Sequence, residues 1–402
     1  MLLLPSLEQV APLYTAKGET LSDRQHSDWD PRDDAVLSDQ RRAYDEIRDR
    51  CPVARSDFLD WSLFNHKHIK DVLADPKAYS SASRHRAIPN GMDEPEHTPF
   101  RLVLDQFLDV EAMTVFEPHC RRIAADSVRS IRASDTVEIV SAFIEPYSLK
   151  SLCAFIGWPL DTWDHLRGWL HGNQQAALSS DRAAGMSLAA EYAGFVMKEI
   201  DVRRNEVVDM RNDLTSGLMT AEVNGIRLSD DDIVSILRNW TAGHGTVAAG
   251  IGLVILFLAE HEELQQQIRN DPAMLPAAID EILRVDGPLV ANRRTATRDV
   301  QIGGQEIAAG SKITLMWIAA NRDEETFDAA YEVQLDRDPA ENLLFGWGIH
   351  VCQGIRLARL EMRVAIEALL AQTTRFQLVA VDSPKRDIYP SNGLAEMTLR
   401  LS

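Results

Sequence analysis

The stretch from Ser229 to about His261 places the strongest demand on the fold. Ser229 stands where a helix N-cap belongs, and Asp230, Asp231 and Asp232 follow as an acidic first turn that complements the helix dipole. The pattern predicts a helix of about thirty residues, roughly 45 Å long at 1.5 Å per residue. Its second half, VAAGIGLVILFLA (Val247 to Ala259), is the longest apolar run in the chain. That run is short of the about 18 residues a membrane span requires, so it reads as a helix buried in protein. With 402 residues the chain is long enough to enclose such a helix in one large domain or two smaller ones.

The surrounding sequence favours one domain, residues 1–402. From about Asp39 to a hairpin near Val300, segments such as RRAYDEIRDR, HKHIKDVLADP and DDDIVSILRNW place apolar residues at helical spacing between Pro and Gly breaks. Strand signals are few: VQIGGQEIAAGSKITLMW turns at Gly303-Gly304, and MTLRLS alternates at the C-terminus. No repeat, low-complexity tract or Gly/Ser/Pro-rich linker interrupts the chain. The expectation is a mainly α domain with a minor β region.

Composition narrows the function. A formal charge of -19 argues against a nucleic-acid binder, whose affinity comes from clustered Lys and Arg, although a local basic patch could still dock an acidic partner. The start MLLLPSLEQV has four apolar residues before Pro5, too few for a signal-peptide core or a membrane span. Cys51, Cys120, Cys153 and Cys352 are scattered and form no CxxC, which suits a reducing cytoplasm and disfavours a zinc site or disulfide framework. His66-Lys67-His68 reads as an exposed helix start rather than a metal site, and Asp230 to Asp232 lack calcium-loop spacing.

One cysteine stands apart. FGWGIHVCQG (Phe345 to Gly354) opens onto the helical run IRLARLEMRVAIEALL, so Cys352 lies just before a helix. Helix N-terminal N–H groups favour a thiolate, and those of Gln353, Gly354 and Ile355 are placed to point at the sulfur. Gly346, Gly348 and Gly354 leave room for a flat, bulky group against the backbone. Three readings stand at this point: a small buried hydrophobe, a cysteine nucleophile with distant His and Asn partners, and a metal ligand. GWGIHV is not GxGxxG, so a dinucleotide loop has no support.

FGWGIHVCQG followed by LARLE closely resembles the haem-ligand loop of the cytochrome P450 family, Phe-Gly-x-Gly-x-x-x-Cys-x-Gly. Three further motifs resemble that family in the same order: HTPFR (His97 to Arg101), AGHGT (Ala242 to Thr246) and EILR (Glu281 to Arg284). The likeness spans essentially the whole chain. SSASRHRAIPNGMDEPEHTPFR also resembles haem domains of self-sufficient bacterial members fused to a flavin and iron–sulfur reductase. The resemblance implies the P450 fold, a triangular helical prism with a minor β region. It implies haem b (iron protoporphyrin IX) with Cys352 as axial ligand and Phe345 packed beside the sulfur. His97, Arg101, Arg294 and His350 would then hold the propionates, a task suited to bidentate Arg. Arg294 is preferred to Arg293 because RTATRD fits the Arg-x-x-x-x-Asp pattern after the Glu281 helix. Glu281 and Arg284, with Arg337 of LDRDP as third member, would form an internal brace.

The AGHGT segment departs from the family pattern. An acid usually precedes the threonine, and here that slot is Gly245, with His244 before it. By resemblance Thr246 orients O2 and water, and His244, able to donate and accept, stands in for the missing relay acid. Gly243, Gly245 and Gly250 each cost a helix up to about 1 kcal/mol relative to Ala, pointing either to a groove over the porphyrin or to close helix packing. The substrate pocket is expected from Ala87, Ile88 and Pro89, from Ala242 and Thr246, from Leu289, Val290 and Ala291, and from Leu394. The function implied is a soluble cytoplasmic monooxygenase that inserts one atom of O2 into a small apolar organic substrate. Its electrons would come from a ferredoxin or flavin/iron–sulfur reductase, with Arg356, Arg359 and Arg363 as candidate docking cations. No nucleic acid or membrane partner is expected. A peroxide-driven peroxygenase and a non-enzymatic haem sensor are the alternatives.

Overall fold

In the computed structural model, which describes residues 28–83, 85–132, 134–205, 213–379 and 383–402, the long helix runs Asp230–Glu260 and ends at His261. The N-terminal MLLLPSLEQV and Arg84 of the SSASRHR stretch lie outside the described residues. Ser229 and Asp232 cap each other reciprocally: Ser229 Oγ accepts from Asp232 N at 3.2 Å, and Asp232 Oδ2 accepts from Ser229 N at 3.1 Å. By length and composition this helix is apolar enough to cross a membrane. Its apolar face is instead taken up by protein, with Ile251, Val254, Ile255 and Leu258 wholly buried. Helices Glu145–Ile156, Arg182–Asn205, Leu275–Val285 and Ile355–Gln372 pack around it. Burial at about 25 cal/mol per Å² of apolar surface makes this central helix the axis of the largest core cluster.

The closest approach is at Gly250, where an added Cβ would stand 2.9 Å from Met362 Sδ and 3.3 Å from Leu283 Cδ1. This glycine therefore serves helix–helix packing. Gly243 has open space instead, and Gly245 faces Leu170 at an ordinary 3.7 Å. Close helix packing thus accounts for Gly250, while Gly243 and Gly245 are not held by it.

The β region is larger than the sequence reading foresaw. The Gly303-Gly304 hairpin forms, pairing Val300–Ile302 with Gln305–Ile307, and Thr398–Leu401 is a strand. A five-stranded sheet, however, also recruits the short strands Val53–Ser56, Asp60–Leu63 and Tyr79–Ser80. Lys312–Met316 lies parallel to Asp60–Leu63 and antiparallel to Ala291–Ala296. Strands of two to four residues carry almost no periodic signal, and this pairing joins segments far apart in sequence. Three-stranded pairing of Phe376–Leu378, Thr398–Leu401 and Thr136–Glu138 completes the second sheet.

Glu281, Arg284 and Arg337 meet in the interior. Arg284 Nε and Nη2 each donate to the Glu281 carboxylate at 2.9 Å, and Arg337 Nε donates to it at 2.7 Å. Arg284, 0% exposed, also donates to the carbonyls of Asn321, Ala330 and Glu332. The pair thus ties the central helix bundle to the irregular segment after Trp317–Ala320. Arg284→Ala strands a buried carboxylate and three carbonyls, and is expected to cost about 3–5 kcal/mol in urea unfolding. Arg337→Ala removes one of four N–H donors to Glu281, the others being two from Arg284 and the Gln334 main chain, and about 1.5–3 kcal/mol is expected. Equal losses in the two variants would contradict the unequal roles assigned here.

Candidate active site

The cysteine loop is shaped by two glycines in the left-handed region, Gly346 at φ +70° and Gly348 at φ +76°. A Cβ on Gly348 would stand 3.1 Å from the Leu73 carbonyl oxygen, so the loop also lies tight against its neighbour. Cys352 N donates to Phe345 O at 2.8 Å, closing the loop, and Gly354 caps the helix Ile355–Gln372. The thiol opens onto an internal cavity of about 400 Å³. Burial pushes the Cys352 pKa up, opposed by the Gly354 N–H at the sulfur and by the charge of Arg101. The sulfur therefore sits among groups that favour an anion, in a place that makes a free one costly. Phe345 lines the same cavity, and Arg359 rests over its ring at 5.1 Å.

Around this cavity the structure gathers the four predicted cationic residues. Arg294 and His350 line it, and the His97 and His350 rings lie 4.3 Å apart. Both ring nitrogens of His97 and both of His350 are buried without a hydrogen-bond partner among the described residues. Glu94 Oε1 stands 3.7 Å from His97 Nδ1, too far for such a bond. Burial, then the charges of His97 and Arg294, push His350 down to about 4. Burial also lowers Arg294, whose Nη1 donates to the carbonyl of Arg293. Arg101 is placed differently from the other three. Its Nη1 donates to Ile349 O at 3.1 Å and Val351 O at 3.0 Å, and its Nε donates to Asp105. It thereby holds the cysteine loop from behind, while Arg293 turns away to Tyr389.

The central helix supplies another wall through Ala242, Gly243 and Thr246. These residues, with Leu289, are shared with a second, adjoining cavity of about 750 Å³, apart from Gly243. Ile144, Leu149, Leu170, Ala248 and Leu394 give this larger space an apolar side; Arg167, His171, Asn173 and Gln174 give it a polar one. Of the residues expected at a pocket, Pro89, Ala242, Thr246, Leu289 and Leu394 line one or both cavities. Ala87, Ile88, Val290 and Ala291 line neither cavity. Ile88 is pinned to the central helix, its N–H donating to Ser235 Oγ and its carbonyl accepting from Asn239. Val290 and Ala291 turn into the separate cluster around Tyr44 and Tyr389, as Leu289 alone faces the cavity.

His244 lines both cavities, but its ring reaches towards the cysteine helix. Nδ1 lies 2.8 Å from Trp240 O, and Nε2 lies 3.3 Å from Glu361 Oε1. Burial disfavours the charged ring, yet Glu361 outweighs it and the His244 pKa is raised. Glu361 was missed by sequence reasoning, as was the whole contribution of helix Trp163–Ser179 to the larger cavity. Of the expected docking arginines, Arg356 is exposed, Arg359 is tied to Asp280, and Arg363 to Glu117 and Glu367. Long side chains on a helix surrounded by carboxylates find partners that spacing alone does not show.

Comparison with known proteins agrees with this geometry. The family model described as Cytochrome P450 matches residues 178–400. The chain is 28% identical over 377 residues to the cyclomarin C epoxidase CymV of Salinispora arenicola, covering 87% of this chain and 92% of that one. It is 30% identical over 348 residues to the putative cytochrome P450 126 of Mycobacterium tuberculosis, covering 81% and 82%. Among solved structures, CalO2 superposes with a TM-score of 0.82 at 25% identity, covering 94% of this chain and 99% of that one. CYP109E1 of Bacillus megaterium, in complex with testosterone, gives 0.81 at 25% identity, covering 90% and 97%. With its cysteine loop, central helix and fold all matched, the chain belongs to the cytochrome P450 family and is an oxygen-incorporating oxidoreductase.

Proposed function

We propose that residues 1–402 form a single haem-thiolate monooxygenase domain with Cys352 as axial ligand of haem b. Its substrate is a small organic molecule with an apolar body, and its electron donor is a ferredoxin or a flavin/iron–sulfur reductase. Four free cysteines fit a reducing cytoplasm as its location. The observation that carries this reading is the cluster of His97, His350 and Arg294. Buried imidazoles with no hydrogen-bond partner, next to a buried guanidinium, call for an anion in the same cavity as the Cys352 sulfur. The two propionates of haem supply one, and the sulfur supplies the ligand a metalloporphyrin needs.

When bound, the haem supplies binding and two-electron reductive activation of O2, and thiolate ligation favours O–O cleavage. The chain's own residues do the rest. The Gly354 N–H and the Arg101 charge stabilise the Cys352 thiolate, while Arg294, His97 and His350 bind and orient the propionates. Arg101 keeps the loop in register through its contacts to the Ile349 and Val351 carbonyls. The larger cavity holds the substrate's apolar body against Leu170, Ala248 and Leu394, with its far end towards Arg167 and His171. Thr246, where the two cavities meet, positions a water for proton supply, and His244 feeds it.

Cys352→Ala is expected to abolish the red-shifted Soret band of the reduced carbon monoxide complex, while Cys51→Ala, Cys120→Ala and Cys153→Ala keep it. Arg294→Ala removes a charge-assisted hydrogen bond of about 1.5–3 kcal/mol, or roughly 10- to 100-fold in haem affinity. An Arg42→Ala control, whose side chain is mostly in solvent, should leave that affinity unchanged. Retention of the band without Cys352 would remove the ligand assignment.

Thr246→Ala tests the monooxygenase reading separately. Positioned proton donors typically contribute 10²–10⁴-fold. NADH consumption should persist in this variant while product falls and peroxide release rises, and turnover with added H2O2 should suffer less. An unchanged product-to-NADH ratio would rule out Thr246 as the organising residue.

A further inference from the structure

His244 and Glu361 join the central helix to the cysteine helix through a buried acid–base contact, and the positions of its protons follow from geometry. The Trp240 carbonyl can only accept, so His244 Nδ1, 2.8 Å away, carries a hydrogen. Nε2 then faces Glu361 Oε1 at 3.3 Å. Two bare acceptors at that distance in a dry interior repel, so a second proton lies on this edge. His244 is 4% exposed and Glu361 0% exposed, so water does not relieve either group. Glu361 Oε2 is buried with no hydrogen-bond partner among the described residues.

The neighbours leave this pair electrostatically isolated. From helix Glu145–Ile156, the Tyr147 hydroxyl donates to the main-chain oxygen of Glu361 at 2.8 Å, and Ser148 Oγ donates to that of His244 at 2.9 Å. From helix Val110–Ile131, Cys120 meets the Tyr147 hydroxyl at 3.0 Å. Burial pushes Cys120 up to about 12 and raises Tyr147 well above the usual tyrosine range, so both remain neutral. Among the described residues Glu361 is the charged group that acts on His244. An apolar pair of the same size would cost less to bury, which marks the site as a candidate for function. Its place supports that: His244 lines both cavities, two residues before Thr246, and beside the slot where Gly245 supplies no acid.

Resting on the monooxygenase reading above, we propose that Glu361 keeps a proton stored on His244 Nε2, and that this pair replaces the acid absent at Gly245 in supplying protons to the cavity lined by Thr246. Release of the Nε2 proton to a water at the cavity wall leaves a neutral imidazole that retains its Nδ1 hydrogen. A proton returned to Nε2 from water at the same cavity wall restores the pair, with Glu361 remaining its counter-charge throughout. No heavy-atom bond forms or breaks. Glu361 acts through His244 and is a positioning residue.

The test reads His244 directly in the holoenzyme. Protein labelled with ¹⁵N-histidine is reduced, bound to carbon monoxide so that it is diamagnetic, and followed by two-bond ¹H–¹⁵N correlation from pH 5.5 to 9. His244→Gln identifies the signal. Both nitrogens should be protonated at pH 7 in the wild type, with loss of the proton only above the ordinary histidine range. In Glu361→Gln that transition should fall by about 1 pH unit or more, since an opposite charge at this distance shifts a pKa by about 1–3 units. If Glu361→Gln fails to hold haem, Glu361→Asp keeps the charge at greater distance and should give a smaller fall. The product-to-NADH ratio should drop in both Glu361→Gln and His244→Gln, increasingly so at higher pH. A singly protonated His244 at pH 7, or a transition insensitive to Glu361, overturns the stored proton. A confirmed pair with unchanged coupling in both variants overturns its part in proton supply, and the Thr246→Ala ratio then still judges the monooxygenase reading on its own.

Discussion

A 31-residue helix that is apolar over most of its length must be surrounded, and nearly every other element of this molecule is placed by that need. Burying it requires neighbours on all sides, which draws the helices before and after it in the chain into one bundle. The helix is not uniform, however. Between Trp240 and Gly250 it carries small and polar residues, and there the neighbours stand back to leave two connected cavities. At Gly250 the packing against the cysteine helix closes, to the point where a methyl group would meet Met362, while Gly252 still lines the larger cavity. One rod is thus both core and cavity wall, and the cysteine helix is held against it at the boundary.

The second constraint is charge. The chain carries a formal charge of -19, yet beside the smaller cavity its interior gathers the Arg294 guanidinium and the imidazoles of His97 and His350. Such a cluster is unfavourable alone: burial lowers His350 to about 4 and depresses Arg294 as well. An acidic exterior around a cationic pocket favours retention of an anionic group whose charge the pocket matches. Elsewhere several arginines are neutralised by carboxylates, as Arg284 and Arg337 are by Glu281 and Arg359 is by Asp280. At His97 and His350, by contrast, both ring nitrogens lack a hydrogen-bond partner among the described residues.

What was legible in the sequence follows the range of the interaction. The Ser229 cap, the Gly303-Gly304 turn and the cysteine-to-helix junction depend on neighbours a few residues away, and the structure has each of them. The Glu281–Arg284 contact is likewise one helical turn. Side-chain direction was not legible: Leu289 faces a cavity while Val290, the next residue, is wholly buried in another cluster. Pairing of Asp60–Leu63 with Lys312–Met316 was hidden for the same reason, since nothing local records a partner that distant. Glu361 was in plain sight in LARLE, but only the fold brings it to His244 across more than a hundred residues.

The position of that carboxylate has a further consequence for the larger cavity. A side chain at position 245 would point towards Leu170, the apolar side of the space assigned to substrate. An acid there would put a charge beside the substrate's hydrocarbon body and hold water against it, at a desolvation cost each time substrate bound. Glycine leaves that wall uncharged and widens the cavity. Glu361, on the cysteine helix, is buried against the central helix at His244 and lines neither cavity. The sequence departure at Gly245 and the buried pair at His244 are thus two halves of one arrangement. In the proposed reading the proton comes from this pair rather than from position 245, and the Leu170 side of the larger cavity is left to apolar contact.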